Sequence, residues 1–556
     1  MYKEDTKGKN VVGQAAVLMA AGILVRIIGV LYRSPLTHII GNEGNGYYGL
    51  AYNIYTMILL IASYSIPMAV SKVVAGKMAL KQYRDAHKVF RCALIYVLVV
   101  GGLASLFVYV GAPFLVPESQ TNAILVLRVL APAVFFSGFL GVFRGYFQAH
   151  GTMMPTSVSQ ILEQLMNALI SVGAALLFIY LFTGGNEEKK PVYGAAGSAV
   201  GTVAGVLTGL LFMLLVYKAN KKYFAKRCKK DVSGVDSSYG EIFKVIFLMV
   251  TPVILSTFVY NISATIDQTL FCDIMDFKGM DSRLASELYG VFSTNYWVLI
   301  NVPVALASSM STAMIPSVSA QYTLGNYEGC NASVKEAIHF TMMISIPAAI
   351  GMAVMARPIM ELLFPQPSTI DLAVHLLQFG CISVVFYCLS TVSNGILQGI
   401  GKVNVPLRNA AVALVLHIAI LTPLLYFTDL RLYAMVLATI AYSFLMCVFN
   451  SIGVRKYLGY RQEVRKTFLI PAISAMGMGI VSYIFYQGIA MIFGGIFKSF
   501  IPGRVLVLAE LMISIIFAVA VYFALELKLG GVTEEELIRF PRGRTLIKIA
   551  RKFHLL

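Results

Sequence analysis

One arginine lies within the first long apolar stretch of the chain and a second lies directly after it. Arg26 and Arg33 share a helical stripe with Gly22 and Gly29, because these four positions fall on one face of an α-helix. A charge at the centre of a membrane helix costs about 2.5–3.5 kcal/mol on insertion scales, so it needs a reason to be there. The stripe therefore predicts the lining of a cavity.

Two carboxylates in later apolar stretches leave a second interpretation open. Glu163 and Asp267 could form an ion or proton site or a gating salt bridge to Arg26, or each could make only an interhelical hydrogen bond. Arg26 could likewise snorkel, or pair with one of them to hold the helices together.

Neutral polar side chains recur at helical spacing around both carboxylates and in one later segment. Such stripes are not tolerated against lipid, so they face protein or water. We predict that they line the cavity. The predicted lining residues are Gln160, Asn167, Asn261, Asn394 and Gln398.

The composition is that of a membrane protein built from helices. Of the 556 residues, 58% are hydrophobic and 13% are charged, and the mean hydropathy is +0.76, whereas a soluble domain has roughly 25% charged residues. Apolar runs of about 20 residues, enough to span a bilayer as helices, predict an all-α polytopic fold with fourteen spans. They cover residues 11–32, 47–70, 89–115, 122–149, 156–183, 192–218, 241–272, 286–320, 332–356, 370–399, 405–428, 432–454, 468–493 and 503–527.

The net charge of +17 is a signal of topology. With the N-terminus inside, 31 lysines and arginines fall on the inner side and nine on the outer side. The positive-inside rule predicts such an imbalance. We expect no nucleic-acid partner, a multi-pass protein of the plasma membrane, and both termini in the cytoplasm.

One glycine-rich phrase occurs twice, 250 residues apart. Residues 145–151 and 395–401 both read Gly-x-x-Gln-x-x-Gly, and Pro155 and Pro406 follow. We interpret both phrases as helical hairpins, since Gly permits close helix approach and Pro marks a helix start. Six helices separate the copies, so the repeat is parallel. A weaker echo pairs Tyr48-Gly49 with Tyr289-Gly290.

The repeat predicts two six-helix lobes that face a shared cavity, followed by two extra helices. The predicted parts are an N-terminal lobe (1–218), a basic linker (219–240), a C-terminal lobe (241–454), helices thirteen and fourteen (455–527) and a cytoplasmic tail (528–556). The tail opens with a capping box, Thr533 with Glu536, and continues as a basic amphipathic helix. We expect it to dock on anionic lipid; a protein partner is the alternative.

Several kinds of chemistry have no counterpart in the sequence. The seven cysteines form no Cys-x-x-Cys motif and have no histidine partners at the spacing of metal ligands. No phosphate-binding loop occurs. We therefore expect no enzymatic activity, no metal and no cofactor. The glycine cluster at 41–46 indicates a tight extracellular turn.

Five segments of the chain carry a family resemblance. They are residues 26–36, 41–48, 66–72, 314–319 and 394–401. With fourteen predicted helices, the chain resembles the polysaccharide-exporter branch of the MATE-like (MOP) superfamily, and within it the stage V sporulation protein B and MurJ-type members. The resemblance implies a flippase for lipid II or another polyprenyl-pyrophosphate-linked saccharide, working by alternating access, with a role in peptidoglycan or spore cortex synthesis.

The resemblance also implies which residues bind that substrate. The helix-one arginines of MurJ-type flippases fall on Arg26 and, with a one-residue shift, on Arg33. The family's cations in helices two and eight fall near Leu60 and Val298, so neither is present here. Two alternatives remain: a cation-coupled multidrug antiporter of the same superfamily, and a membrane scaffold that recruits cell-wall synthesis proteins.

Overall fold

The chain is described from a computed structural model, which covers residues 10–59, 66–231, 237–496, 503–534, 547, 551 and 552. All regular secondary structure within these ranges is helical. Eleven of the described helices are long and apolar enough to cross a membrane. The expected all-α polytopic membrane fold is confirmed, and the count of fourteen spans stays a prediction.

Eighteen α-helices are described, with three π-helical and two 3₁₀ turns between them. The helices are α1 (Asn10–Leu59), α2 (Ile66–Ala79), α3 (Tyr83–Tyr96), α4 (Gly102–Leu115), α5 (Ala123–Ala149), α6 (Met154–Phe182), α7 (Lys190–Lys229), α8 (Tyr239–Phe277), α9 (Ser282–Gly290), α10 (Trp297–Thr323), α11 (Tyr327–Val354), α12 (Ala356–Leu363), α13 (Ile370–Gly380), α14 (Ile382–Gly399), α15 (Asn404–Phe427), α16 (Leu432–Leu458), α17 (Ile470–Ile496) and α18 (Gly503–Lys528). The π-helical turns are Val97–Gly101, Val291–Tyr296 and Arg465–Leu469.

Helix α1 is two helices joined at one residue. Gly41 has φ 72° and ψ 175°, which is not helical and which glycine adopts without steric cost. The predicted tight turn at 41–46 is therefore a sharp break at Gly41, after which residues 42–59 continue as helix.

The chain divides into two compact units, Met1–Thr294 and Asn295–Leu556. Helices α8 and α9 belong to the first unit because both pack on α1. The front half of the predicted linker is helical, since α7 continues to Lys229. The lobe boundaries drawn from the repeat stay a prediction.

The two copies of the repeated phrase form turns of the same geometry. Helix α5 ends at Ala149 and α6 begins at Met154, while α14 ends at Gly399 and α15 begins at Asn404. The last glycine of each phrase has a positive φ, +76° at Gly151 and +77° at Gly401. Each phrase therefore closes a hairpin, as its glycine spacing predicts.

The first glycine of each phrase permits a close approach between helices. A Cβ on Gly145 would collide with the carbonyl of Pro67, and one on Gly395 would collide with the Ser311 hydroxyl. In both units the phrase thus packs against a neighbouring helix, α2 in one and α10 in the other.

A glycine seam joins α6 to α7. From residue 197 to residue 209 every fourth residue of α7 is a glycine, and a Cβ at any of the first three would collide with the backbone or side chains of α6. These residues are Gly197, Gly201, Gly205 and Gly209. The seam fixes α6 against α7, and with it the orientation of the polar stripe on α6.

Most of the C-terminal tail lies outside the described residues. That includes Glu536 of the predicted capping box. Arg551, which is described, pairs with Glu534 at 2.5 Å.

Candidate functional site

Helix α1 carries the two arginines of the predicted anion site. Arg26 is exposed, and it forms no ion pair with a described residue. Arg33, about two helical turns further along, is half-buried and interacts with the phenol groups of Tyr32, Tyr48 and Tyr52. Neither guanidinium is neutralised by a carboxylate in the described part of the chain.

Tyr52 connects these arginines to α6. It lies beyond the break at Gly41 and interacts electrostatically with Arg33, Glu163 and Arg26. Arg26, Arg33, Tyr52, Glu163 and the Arg144 described next are therefore neighbours, and we call them the cationic cluster.

Glu163 pairs with a residue that the sequence did not single out. The Arg144 guanidinium on α5 donates to the Glu163 carboxylate at 2.7 Å and to the Ser159 hydroxyl at 2.9 Å. Arg144 directly precedes Gly145 of the repeated phrase. Because that phrase makes α5 and α6 antiparallel neighbours, the spacing of the hairpin could have identified the pair. The gating salt bridge considered between Glu163 and Arg26 is not formed here, since Arg144 holds the carboxylate.

The polar stripe of α6 lies between α1 and α7. A Cβ on Gly29 of α1 would lie 3.3 Å from the Gln164 amide nitrogen, so α1 meets the stripe at a glycine. Asn167 accepts a hydrogen bond from Ser171 at 2.9 Å, and Gln160 is half-buried. The stripe therefore contacts protein on two sides, while Gln160 stays partly exposed.

The second predicted carboxylate lies in a different contact. Asp267 on α8 is 8% exposed and lies beside Tyr289 of α9. Its neighbour Gln268 accepts from Asn53 at 3.1 Å and donates to the Gly46 carbonyl at 3.1 Å. Asp267 thus belongs to the packing of α8 and α9 on α1. The side chain of Asn261, further back on α8, lies outside the described residues.

Helices α1 and α9 touch through two glycines that face each other's backbone. A Cβ on Gly46 would collide with the Ser286 carbonyl, and a Cβ on Gly290 with the Asn42 carbonyl. We call this the glycine contact. The two segments of the weaker sequence echo, Tyr48-Gly49 and Tyr289-Gly290, meet here. Gly49 approaches the Ser293 hydroxyl in the same region.

The predicted polar residues of the second unit take part in helix packing. Asn394 on α14 accepts from Asn450 on α16 at 3.1 Å, and Asn409 on α15 donates to Asn450 at 3.0 Å. This network joins three helices. Gln398, at the end of α14, is exposed.

The cationic cluster has an excess of positive charge. It contains three guanidinium groups and one carboxylate, and that carboxylate is held by Arg144. A compact dianion could lie against the two remaining arginines. No group of three histidine, cysteine or acidic residues within the described ranges could hold a metal ion.

Comparisons with known proteins agree with this architecture. The family model described as polysaccharide biosynthesis protein matches residues 11–321, and the model described as MatE matches residues 295–422. The chain is 24% identical to the lipid II flippase MurJ of Bacillus subtilis over 92% of this chain and 94% of that protein. It is 23% identical to the stage V sporulation protein B of Bacillus subtilis over 96% and 98%.

A solved structure has the same fold. It is an inward-facing multidrug resistance MATE family transporter of the MOP superfamily, with a TM-score of 0.65, 16% identity, and coverage of 80% of this chain and 98% of that chain. The chain therefore belongs to the polysaccharide biosynthesis protein family, and it is a multi-pass bacterial membrane protein of the flippase and transporter type within the MOP superfamily.

Proposed function

We propose that this protein moves a polyprenyl-pyrophosphate-linked saccharide, lipid II, from the inner to the outer leaflet of the plasma membrane. The observation that carries the proposal is the charge of the cationic cluster. Arg144 holds Glu163 at 2.7 Å, so Arg26 and Arg33 face the substrate without a carboxylate to neutralise them. The name of the Bacillus subtilis relative, a lipid II flippase, supports the same substrate class.

The arginines would act on the diphosphate that links lipid to saccharide. Each planar guanidinium can donate two parallel hydrogen bonds to phosphate oxygens. Arg26, which is exposed and free of ion pairs among the described residues, is the first contact. Arg33, half-buried among tyrosine hydroxyls, is a second contact further along α1.

Release to the outside would require helices to separate at the glycine contact. With the N-terminus inside, the turn at Gly41 and the contact between Gly46 and Gly290 lie on the outer side. Close backbone packing and a few hydrogen bonds hold this contact, which suits a surface that opens and recloses in alternating access. Gln268, bonded to Asn53 and to the Gly46 carbonyl, is part of the same closure.

The proposal includes the orientation and partners of the chain. Both termini lie in the cytoplasm, where the basic tail would meet anionic lipid. Cell-wall synthesis proteins that use the exported lipid would be neighbours of the transporter in the membrane. Because one relative is a sporulation protein, the exported lipid would supply either the vegetative cell wall or the spore cortex.

A cation-coupled multidrug antiporter of the same fold is the alternative. Cationic drugs call for acidic groups in the binding cavity, and the cationic cluster has the opposite sign. Asp267 is buried among α1, α8 and α9, so its carboxylate is not accessible to a cationic drug.

Depletion in living cells tests the substrate. The amounts of lipid-linked cell-wall precursors are measured after the protein is removed, together with resistance to cationic dyes. Accumulation of lipid II in the inner leaflet is expected. Unchanged precursor pools with lost dye resistance would instead identify the antiporter.

A further inference from the structure

Helices α17 and α18 bury polar groups that the proposed lipid transport does not use. On α18 the residues Glu510, Ser514, Tyr522 and Glu526 are all buried, and their spacing in multiples of four places them along a stripe that winds slowly around the helix. Sixteen residues of helix rise about 24 Å, so the two carboxylates lie near opposite ends of α18. Both matched family models end at or before residue 422, ahead of this pair of helices.

Glu526 is the most enclosed of these groups. The residue is 0% exposed, and neither carboxylate oxygen makes a well-aligned hydrogen bond. Within the described ranges no cationic side chain forms an ion pair with it. An ionised carboxylate in such a place is strongly unfavourable, whereas a neutral carboxylic acid is tolerated when it finds hydrogen-bond partners.

The groups around Glu526 fit the neutral acid. The hydroxyls of Ser474 on α17 and Tyr522 on α18 lie beside its carboxyl. Tyr522 donates its own proton to the carbonyl of Met343 on α11 at 2.9 Å, so its oxygen is left to accept. The Ser474 hydroxyl has no acceptor. A protonated Glu526 can donate to Tyr522 and accept from Ser474, while an ionised Glu526 can use Ser474 alone.

Other titratable groups on the neighbouring elements do not compensate a charge at Glu526. Lys335 of α11 pairs with Glu463 at 2.6 Å, and Arg357 of α12 pairs with Asp371 at 2.6 Å. Further titratable groups on these elements are Glu328, Glu336 and His339 on α11, Glu361 on α12, Arg465 and Lys466 before α17, Tyr483 and Tyr486 on α17, and Arg504, Glu510 and Lys528 on α18. None of them is bonded to the Glu526 carboxyl.

We propose that the α17/α18 pair contains a proton-binding site, in which the Glu526 carboxyl binds the proton and Ser474 and Tyr522 are its hydrogen-bond partners. The proton keeps the carboxyl neutral at pH 7 and lets α18 pack against α17 and α11. The folded protein then binds one more proton than the unfolded chain near neutral pH, so its stability falls as the pH rises. The site is independent of which lipid the protein transports.

Infrared spectroscopy of the full-length protein in lipid nanodiscs at pH 7 tests the site. The wild-type spectrum is expected to contain the carbonyl-stretch band of neutral carboxylic acid. Glu526→Gln should lower the intensity of this band by the amount that one carboxylic acid group contributes. Glu534→Gln is the matched control, because Glu534 is exposed and paired with Arg551; it should leave the band unchanged. A wild-type protein without this band, or a band that Glu526→Gln does not reduce, would overturn the proposal.

Thermal unfolding gives a second and independent reading. Between pH 6 and pH 9 the melting temperature of the wild type should fall, and that of Glu526→Gln should fall less, since the amide cannot ionise. Should Glu526→Gln not fold, Glu526→Asp keeps the carboxyl and should keep the infrared band. If sodium in place of potassium raises the melting temperature of the wild type but not of Glu526→Gln, the site binds sodium and the proton assignment is wrong.

Discussion

The Arg144 guanidinium donates to the Glu163 carboxylate at 2.7 Å across the hairpin of α5 and α6. This pair decides the sign of the charge in the cationic cluster. If Glu163 were paired with Arg26, one carboxylate would neutralise the first contact proposed for the diphosphate. With Arg144 in that role, Arg26 and Arg33 keep their charge for an anion.

Breaking the pair should reveal its structural role. Glu163→Gln leaves the partly buried Arg144 without its negatively charged partner, so we expect a loss of about 2 kcal/mol, since hydrogen bonds to charged groups contribute about 1.5–3 kcal/mol. Arg144→Gln added to Glu163→Gln should recover most of this loss. Unfolding of the two single variants and the double variant in detergent measures the coupling, and strictly additive losses would show that the pair contributes nothing.

The sequence predicted the membrane fold and the hairpins, because each depends on local spacing; the role of the arginine stripe stays a prediction. Hydropathy indicates helices, and Gly151 and Gly401 are each followed by a nearby proline, which predicts the turns. Pairing across helices is not local, so the partner of Glu163 was missed although Arg144 adjoins the repeated phrase. Asn394 was predicted as cavity lining, yet its bond to Asn450 depends on how α14 meets α16. The break at Gly41 was expected as a turn, but not the packing of Gly46 against α9.

The glycine contact should not tolerate a methyl group. In Gly290→Ala the added Cβ would meet the Asn42 carbonyl, so α1 and α9 should separate, at a cost of about 1–3 kcal/mol for overpacking. Gly173→Ala is the control, because a Cβ there meets nothing within 4 Å. We expect Ser286→Cys, which is buried in the contact, to react faster with a thiol reagent in the Gly290→Ala background. Equal reactivity in both backgrounds would rule out a separable contact.

The membrane potential should drive export of a diphosphate-linked lipid. Two negative charges leaving a negative interior gain about 4.6 kcal/mol per 100 mV, at about 2.3 kcal/mol per charge. Flipping in vesicles should therefore accelerate with an inside-negative potential and slow when an ionophore collapses it. A rate that is unchanged after collapse would exclude the potential as the driving force.

The predicted topology can be read from thiol labelling of intact cells. Glu187→Cys and Asp276→Cys should react with an impermeant reagent from outside, and Lys226→Cys and Lys548→Cys should not. The background should lack Cys228, because the other six native cysteines are buried and this one is half-buried. Outside labelling at residue 226 would reverse the orientation inferred from the charge bias.

Arg26 is expected to matter for transport and not for folding. It has no ion pair to lose among the described residues, so Arg26→Ala should fold and insert as well as the wild type. Arg26→Lys should keep part of the activity, because an ammonium retains the charge but not the planar fork. Arg33→Ala should cause a smaller loss than Arg26→Ala. The matched control is Arg128→Ala, an exposed arginine on α5 that stacks on Tyr109 instead.

The most direct measurement is the rate of lipid II flipping by purified protein in proteoliposomes with an imposed potential. The wild type and Arg128→Ala should flip at similar rates, and Arg26→Ala should be about 10- to 100-fold slower, which corresponds to the loss of one hydrogen bond to a charged group of about 1.5–3 kcal/mol. A folded Arg26→Ala that flips lipid II at the wild-type rate, or a wild type that leaves lipid II in place while carrying a cationic dye, would contradict the account.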